Sequence, residues 1–116
     1  MIERSVVWRR NNLTLGQTRT YFANTYWQRL RGLLARPAPL PGTALCIQPC
    51  NSVHTFFMGY ALDVVYVSRT GSVIKVVSNV RPWRVSQALG ARKVFEFCAG
   101  ELERLGLQVG DLCIVE

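Results

Sequence analysis

Apolar and polar residues alternate along most of the chain, which is the pattern of half-buried β-strands. Ser5 to Arg10 and Leu13 to Thr20 are the first segments of this kind. Asn11 and Asn12 lie between them, and asparagine tolerates the positive φ values that tight hairpin turns require. The pattern therefore predicts an N-terminal β-hairpin.

A helical pattern begins at Thr25, with apolar residues at helical spacing from Tyr26 onward. Thr25 and Gln28 have the spacing of a capping box, in which each side chain satisfies a main-chain N–H of the first turn. Pro37 then disfavours helical geometry at Arg36. The main helix is therefore predicted over about residues 25–35, with an apolar stripe formed by Tyr26, Trp27, Leu30, Leu33 and Leu34.

The remaining apolar runs are short and β-branched, as in strands. The runs at 43–47 and 52–57 are expected to pair around Gln48–Asn51. The runs at 61–67 and 72–80 are expected to pair around Ser68–Gly71. Short helical turns are predicted near Ser86–Leu89 and Gly100–Leu105. The predicted strands are Thr43–Ile47, Ser52–Phe57, Ala61–Val67, Ser72–Val80, Lys93–Cys98 and Leu112–Val115.

This order of elements predicts an α+β fold that is mostly β: about seven short strands in a small curled or barrel-like sheet, packed with one main helix. A chain of 116 residues, 49% of them hydrophobic, is expected to form one domain over residues 1–116. Its longest uncharged stretch, residues 37–62, is interrupted by prolines and polar residues, which argues against a membrane span. Without a visible secretory signal, the chain is expected to be cytoplasmic, with a monomer as the default state.

The formal net charge of +7 is unevenly distributed. Residues 1–36 contain seven arginines and one glutamate, whereas residues 37–68 contain one aspartate and no cation. Basic surfaces attract nucleic acids without sequence specificity. Binding of nucleic acid through the Arg-rich N-terminal third is therefore an alternative to a small-molecule or protein partner. The arginines concerned are Arg4, Arg9, Arg10, Arg19, Arg29 and Arg31.

Two residues in the uncharged middle of the chain are candidates for chemistry. His54 is the only histidine, and Asp63 is the only charged residue between Pro37 and Ser68. If their strands are neighbours, the carboxylate could orient the imidazole for acid–base work, as in a hydrolase-like enzyme. The alternative is a buried, hydrogen-bonded pair that fixes strand register, because an unpartnered buried Asp or His is costly. No nucleophile-elbow motif accompanies the pair, so catalysis is the weaker interpretation.

Trp83 lies between Arg81-Pro82 and Arg84 in a predicted loop. An aromatic ring in such a loop either stacks on a planar ligand or covers one end of a sheet. Together with His54 and Asp63, Trp83 is the residue least explained by core packing. We therefore predict a binding or accessory module without catalytic activity, whose ligand site includes these three residues.

No metal or cofactor is expected. Cys46, Cys50 and His54 recur every fourth residue, but on a strand such positions lie about 13 Å apart, too far to share one ion. The chain contains no Gly-rich phosphate loop and no dinucleotide-binding fingerprint. In a reducing compartment the four cysteines are expected to be free thiols.

A set of short motifs in fixed order resembles the family called domain of unknown function 192. The motifs are Arg31–Arg36, Ser52–Met58, Leu62–Val67 with Gly71, Phe95–Gly100 and Gly106–Asp111. The resemblance covers about residues 20–115 and implies a small β-rich, barrel-like fold packed with a helix, with no assigned reaction. The family's frequent Trp-Met-Lys-Asn-Thr pattern is replaced here by Phe57-Met58-Gly59-Tyr60-Ala61. No role of that Lys or Asn therefore carries over.

Overall fold

The computed structural model describes residues 1–33 and 36–116, and within them the chain forms nine strands and two short helices. The strands are β1 (Ile2–Arg10), β2 (Leu13–Ala23), β3 (Thr43–Ile47), β4 (Ser52–His54), β5 (Leu62–Ser68), β6 (Val73–Val80), β7 (Val85–Gln87), β8 (Ala91–Cys98) and β9 (Leu112–Val115). The helices are α1 (Tyr26–Arg31) and α2 (Glu101–Leu105). The predicted fold class, α+β and mostly β, is confirmed. Neither helix is long and apolar enough to cross a membrane.

Seven of the strands form one curled sheet in the order β6-β5-β8-β3-β2-β1-β9. Its neighbouring strands are antiparallel except for β2 and β3, which run parallel. The two edges of this sheet meet at one end, where Ser72 and Leu112 form a bridge and Val73 N donates to Asp111 O at 2.8 Å. The other two strands, β4 and β7, form a separate two-stranded sheet.

The large sheet buries apolar residues on both faces, and β5 shows this most clearly. Its residues from Leu62 to Val67 are all buried, and successive side chains of a strand point to opposite faces. Val65 and Val67 join a cluster with Trp8 and Phe95, whereas Leu62, Val64 and Tyr66 join a second cluster that includes Leu33 and Val53. We call these the inner and the outer cluster. The outer cluster includes Leu33, which follows α1, and Val53 of β4.

The N-terminal hairpin and the β5–β6 hairpin are confirmed, but the predicted pairing of Thr43–Ile47 with Ser52–Phe57 is wrong. Both edges of β3 are occupied, by β2 and by β8, so no edge is left for β4. Instead, β4 ends at His54 and pairs with β7. That pairing also explains why residues 85–87 are a strand, where a helical turn was predicted.

Helix α1 begins as predicted and ends early. Thr25 Oγ1 accepts from Gln28 N and Gln28 Oε1 accepts from Thr25 N, which is the predicted capping box. The helix stops at Arg31 because Gly32 turns to a φ of +52°. The prediction of a helix to residue 35 is therefore wrong, and its last two residues, Leu34 and Ala35, lie outside the described residues. Of the predicted apolar stripe, Leu33 is buried, whereas Trp27 and Leu30 are exposed.

Candidate ligand-binding groove

The carboxylate of Asp63 is bound by main-chain N–H groups near α2. Asp63 Oδ1 accepts from Asn79 N at 2.8 Å, and Oδ2 accepts from Gly100 N at 2.9 Å and Leu102 N at 3.0 Å. The residue is 1% exposed. Since Gly100 at the N-cap has no side chain, Asp63 satisfies donors of the first turn in its place. This arrangement is a structural role, and it leaves no free face of the carboxylate toward solvent.

His54 and Asp63 are not brought together. Asp63 shares the face of β5 that carries Val65, toward the inner cluster, whereas exposed His54 lies on β4, outside the opposite face. Strand β5 has β6 and β8 as its neighbours, so the condition for a contact between the two side chains is not met. Within residues 1–33 and 36–116, no hydrogen bond or ion pair joins them.

His54 and Trp83, in contrast, belong to one surface cluster. The His54 ring lies 5.1 Å from that of Phe56, which in turn stacks on Trp83 at 5.6 Å with an interplanar angle of 28°. Phe57 meets Trp83 edge to face at 4.7 Å. We call these four residues the aromatic tip. Phe57 is 74% exposed and Trp83 55% exposed, so the aromatic tip presents ring surface to solvent.

The aromatic tip is held in an unfavourable backbone conformation. Phe57 and Trp83 both have a φ of +65°, which is uncommon for any residue other than glycine and costs about 1 kcal/mol or more at each position. Strain of this kind persists only where surrounding contacts fix the conformation, and it concentrates at binding sites. The exposed rings are therefore displayed by a rigid loop pair.

Thr55 is the residue that fixes both loops. Its side chain is completely buried, and Oγ1 donates to Arg81 O at 2.6 Å and accepts from Arg84 N at 2.9 Å. Its main chain accepts from Trp83 N and from Met58 N. The loop of residues 55–60 and the loop of residues 81–84 are thus joined at a single threonine.

Thr55→Val is expected to lower the free energy of unfolding by about 1–2 kcal/mol, because the Arg84 amide and the Arg81 carbonyl lose a buried partner. Urea denaturation measures this loss, and hydrogen exchange at the Arg84 amide should become faster. Thr14→Val, on the exposed part of β2, is the matched control and should change stability by less than about 0.5 kcal/mol. Equal stability of the two variants would show that Thr55 does not hold the loops.

A groove of about 330 Å³ lies between the end of α1 and residues 52–58. Its walls are mostly apolar, and Leu33, Ile47 and Val53 of the outer cluster form part of them. His54 and both phenylalanines of the aromatic tip line its mouth. The groove is thus a continuation of the outer cluster that remains open where α1 ends.

One acidic side chain, Glu96, lies at the floor of this groove. Within β8, Phe95 and Phe97 point into the inner cluster, so Glu96 points to the other face, under α1. A methyl group placed on Gly32 would lie 3.8 Å from Glu96 Oε1, which locates the carboxyl beneath the turn that ends α1. Glu96 is 3% exposed, and within the described part of the chain its carboxyl has no hydrogen-bond partner. Burial raises the pKa of Glu96 to about 7.

Cationic and thiol groups complete the groove. Arg29 and Arg31 approach it from α1, and Arg29 Nη1 donates to Pro49 O at 3.3 Å. Cys50 Sγ donates to Ser52 O at 3.0 Å, and burial raises the pKa of its thiol. Cys50 is therefore a neutral wall residue at physiological pH, since thiolate chemistry requires a lowered pKa.

Sequence reasoning missed Glu96. Phe95-Glu96-Phe97 has the alternation of an ordinary half-buried strand, in which the polar residue is expected to face water. Its burial depends on the tertiary structure. Strand β8 lies between β5 and β3, and the turn at Gly32 lies over the face that carries Glu96. The alternation alone does not contain this information.

The arginines of the N-terminal third do not form one free basic patch. Arg10 makes a bidentate ion pair with Asp111, at 2.8 and 2.9 Å. Arg19 pairs with Glu3 at 3.5 Å, and Arg9 donates to Thr14. Arg4 and Arg29 donate to the carbonyl oxygens of Glu116 and Pro49, so at least five of the six predicted nucleic-acid ligands already bind groups of the protein itself.

A family model confirms the resemblance noted in the sequence. The model of domain of unknown function 192 (DUF192), which is described as an uncharacterized ACR, matches residues 7–115. The chain belongs to this family. In the DUF192 chain described here, the matched range includes α1, β4, β8 and both loops of the aromatic tip.

Several proteins are similar to this DUF192 chain. A UPF0127 protein of Thermococcus sibiricus is 29% identical over 99 residues, which are 80% of this chain and 63% of that protein, so the chain matches less than two thirds of its relative's length. A protein of Sinorhizobium meliloti 1021, provisionally described as a transcription regulator, has a crystal structure with a TM-score of 0.88 at 19% identity, covering 98% of this chain and 94% of that one. A protein of unknown function from Novosphingobium aromaticivorans gives a TM-score of 0.80 at 22% identity, covering 96% and 83%. At these identities the two structures establish the fold that the DUF192 chain shares with them.

Proposed function

We propose that this protein is a non-catalytic binding module that holds a small, partly apolar molecule in the groove beneath the aromatic tip. The observation that carries the proposal is the pair of polar groups in the groove: Arg29 Nε is buried without an acceptor, and the carboxyl of Glu96, 3% exposed, makes no hydrogen bond with another described residue. Buried polar groups in native proteins are nearly always hydrogen-bonded, and an exception indicates a missing partner. A bound molecule would supply that partner.

The walls and the mouth of the groove support the same proposal. Binding sites for small molecules are concave and mainly apolar, with a few polar groups that fix orientation, and a volume of about 330 Å³ is at the small end of their range. The strained loops that display Phe57 and Trp83 give the mouth rigid aromatic surface. Rigid sites bind more tightly because less ordering accompanies association.

The alternatives from the sequence are less well supported. An acid–base enzyme would need a partner for His54, and Asp63 is occupied by three main-chain donors. Binding of nucleic acid would depend on arginines of which Arg10 and Arg19 are already paired with acids. Trp83 and His54 remain in the proposed site, as members of the aromatic tip.

Titration with 2-naphthoate and with 2-naphthamide, followed by NMR of the backbone amides, tests the proposal. At least one of these probes is expected to shift signals of Gly32, Val53 and Phe57. Phe57→Ala should weaken its binding about tenfold, since a lost aromatic contact and its buried area are worth about 1–2 kcal/mol. Leu89→Ala removes another exposed apolar side chain, outside the groove, and should leave the affinity unchanged. Shifts that avoid the groove, or equal affinities of both variants, would contradict the proposal.

A further inference from the structure

The groove contains polar groups that a purely apolar ligand would leave without hydrogen-bond partners. Within residues 1–33 and 36–116, Arg29 Nε has no acceptor and the guanidinium makes one hydrogen bond, to Pro49 O. Glu96 has none. A carboxylic acid donates one O–H and a guanidinium only donates, so the groove offers donors from its floor and from α1.

The charges of the groove point in the same direction. Arg29 and Arg31 carry positive charge at every physiological pH, and the groove contains no other acid than Glu96 among its described lining residues. When Glu96 is protonated, the groove therefore carries a net positive charge above an uncharged floor. Its electrostatic complement is an anion with two acceptor oxygens.

We propose that the groove binds the carboxylate of a small apolar acid, with one oxygen accepting from the protonated Glu96 carboxyl and the other facing Arg29. The apolar body of the acid would lie against Phe57 and Phe56 at the mouth. This inference rests on the proposed function, because it names the ligand class of the same groove. A carboxylic acid facing a carboxylate shares its proton in a strong hydrogen bond, and an arginine is the usual partner of the second oxygen.

The proposal requires affinity to depend on the proton held by Glu96. Burial raises the pKa of Glu96 to about 7, so the proton is mostly present at pH 6 and mostly absent at pH 8. Of the other groups that face Glu96, Arg29 and Arg31 of α1 remain charged over this range. The thiol of Cys50 and the phenols of Tyr60 and Tyr66 have pKa values raised mainly by burial and stay neutral. His54 lines the mouth of the groove and therefore has a control variant of its own.

Three probes with one ring and different head groups test the inference: 2-naphthoate, 2-naphthamide and 2-naphthylmethylammonium. Calorimetric titration of the full chain at pH 6 and pH 8 is expected to show 2-naphthoate binding about tenfold more tightly at pH 6. Naphthamide should bind more weakly than naphthoate at pH 6 and with the same affinity at both pH values. The pH dependence should disappear in Glu96→Gln, which keeps a donor but cannot ionise. It should persist in Glu103→Gln, an exposed acid of α2, and in His54→Asn, whatever the affinity of that variant.

The outcomes separate this inference from the proposed function. Naphthamide binding in the groove at least as tightly as naphthoate at pH 6 would overturn the carboxylate assignment and leave the groove as a binding site. Tighter binding of the ammonium probe than of 2-naphthoate at pH 6 would do the same, and so would a pH dependence that survives in Glu96→Gln or disappears in His54→Asn. If none of the three probes shifts the signals of groove residues, both proposals fail.

Discussion

Replacement of Asp63 by alanine is expected to lower the free energy of unfolding by about 3–5 kcal/mol. The change removes the acceptor of three main-chain N–H groups, from Asn79, Gly100 and Leu102, in a place where water cannot replace it. It also removes one negative charge from beside the first turn of α2, which keeps Glu101 and Glu103. Urea denaturation followed by circular dichroism measures the loss.

Two further variants show whether the loss belongs to this network. Asp63→Asn keeps one acceptor oxygen and should be destabilised by about half as much. Glu103→Ala removes an exposed acid of α2 and should change stability by less than about 0.5 kcal/mol. A loss below about 1 kcal/mol for Asp63→Ala would mean that the three donors find other partners. His54→Ala should leave stability nearly unchanged, because no bond links His54 to Asp63.

Local patterns were sufficient for the parts of the fold that are made of neighbours in the sequence. The hairpin β1–β2 has a two-residue connection with Asn11 at a φ of +53°, and the hairpin β5–β6 turns at Gly71, as their sequences indicate. The start of α1 is encoded by Thr25 and Gln28 alone. In each case the deciding contact spans only a few residues, so alternation, turn residues and capping are enough.

The sheet's order and the groove depend on contacts between distant segments. Whether β4 pairs with β3 is decided by β2 and β8, which occupy the edges of β3 and come from both sides in the sequence. Asp63 was singled out as a candidate ligand residue, or otherwise as one half of a buried pair with His54. It is buried, but its partners are main-chain groups 16 to 39 residues away, which no side-chain pattern reports. His54 and Trp83 were singled out as residues that core packing does not explain, and the stacking of Phe56 between them joins them into one surface.

Glu96 combines both difficulties, because alternation predicts a solvent-facing residue and the helix that covers it begins about 70 residues earlier in the chain. The consequence can be measured without any ligand. A carboxyl whose pKa lies near 7 in the folded protein and near 4.5 in the unfolded chain binds more protons when folded. Between about pH 4.5 and pH 7 the free energy of unfolding must therefore fall as the pH rises, by up to about 3 kcal/mol. Below and above this range the contribution of Glu96 does not change with pH.

Glu96→Gln should therefore be more stable than the wild-type protein at pH 8, by about 2 kcal/mol, and similar to it at pH 4. The amide fills nearly the same volume beneath Gly32 and carries no charge that burial can penalise. Urea denaturation of both proteins at several values between pH 4 and pH 8 measures the difference, with Glu103→Gln as the variant that should keep the wild-type slope. A parallel pH dependence in Glu96→Gln and wild type would mean that Glu96 ionises without cost in the folded protein. The groove floor would then be charged at neutral pH, and a carboxylate could not bind there.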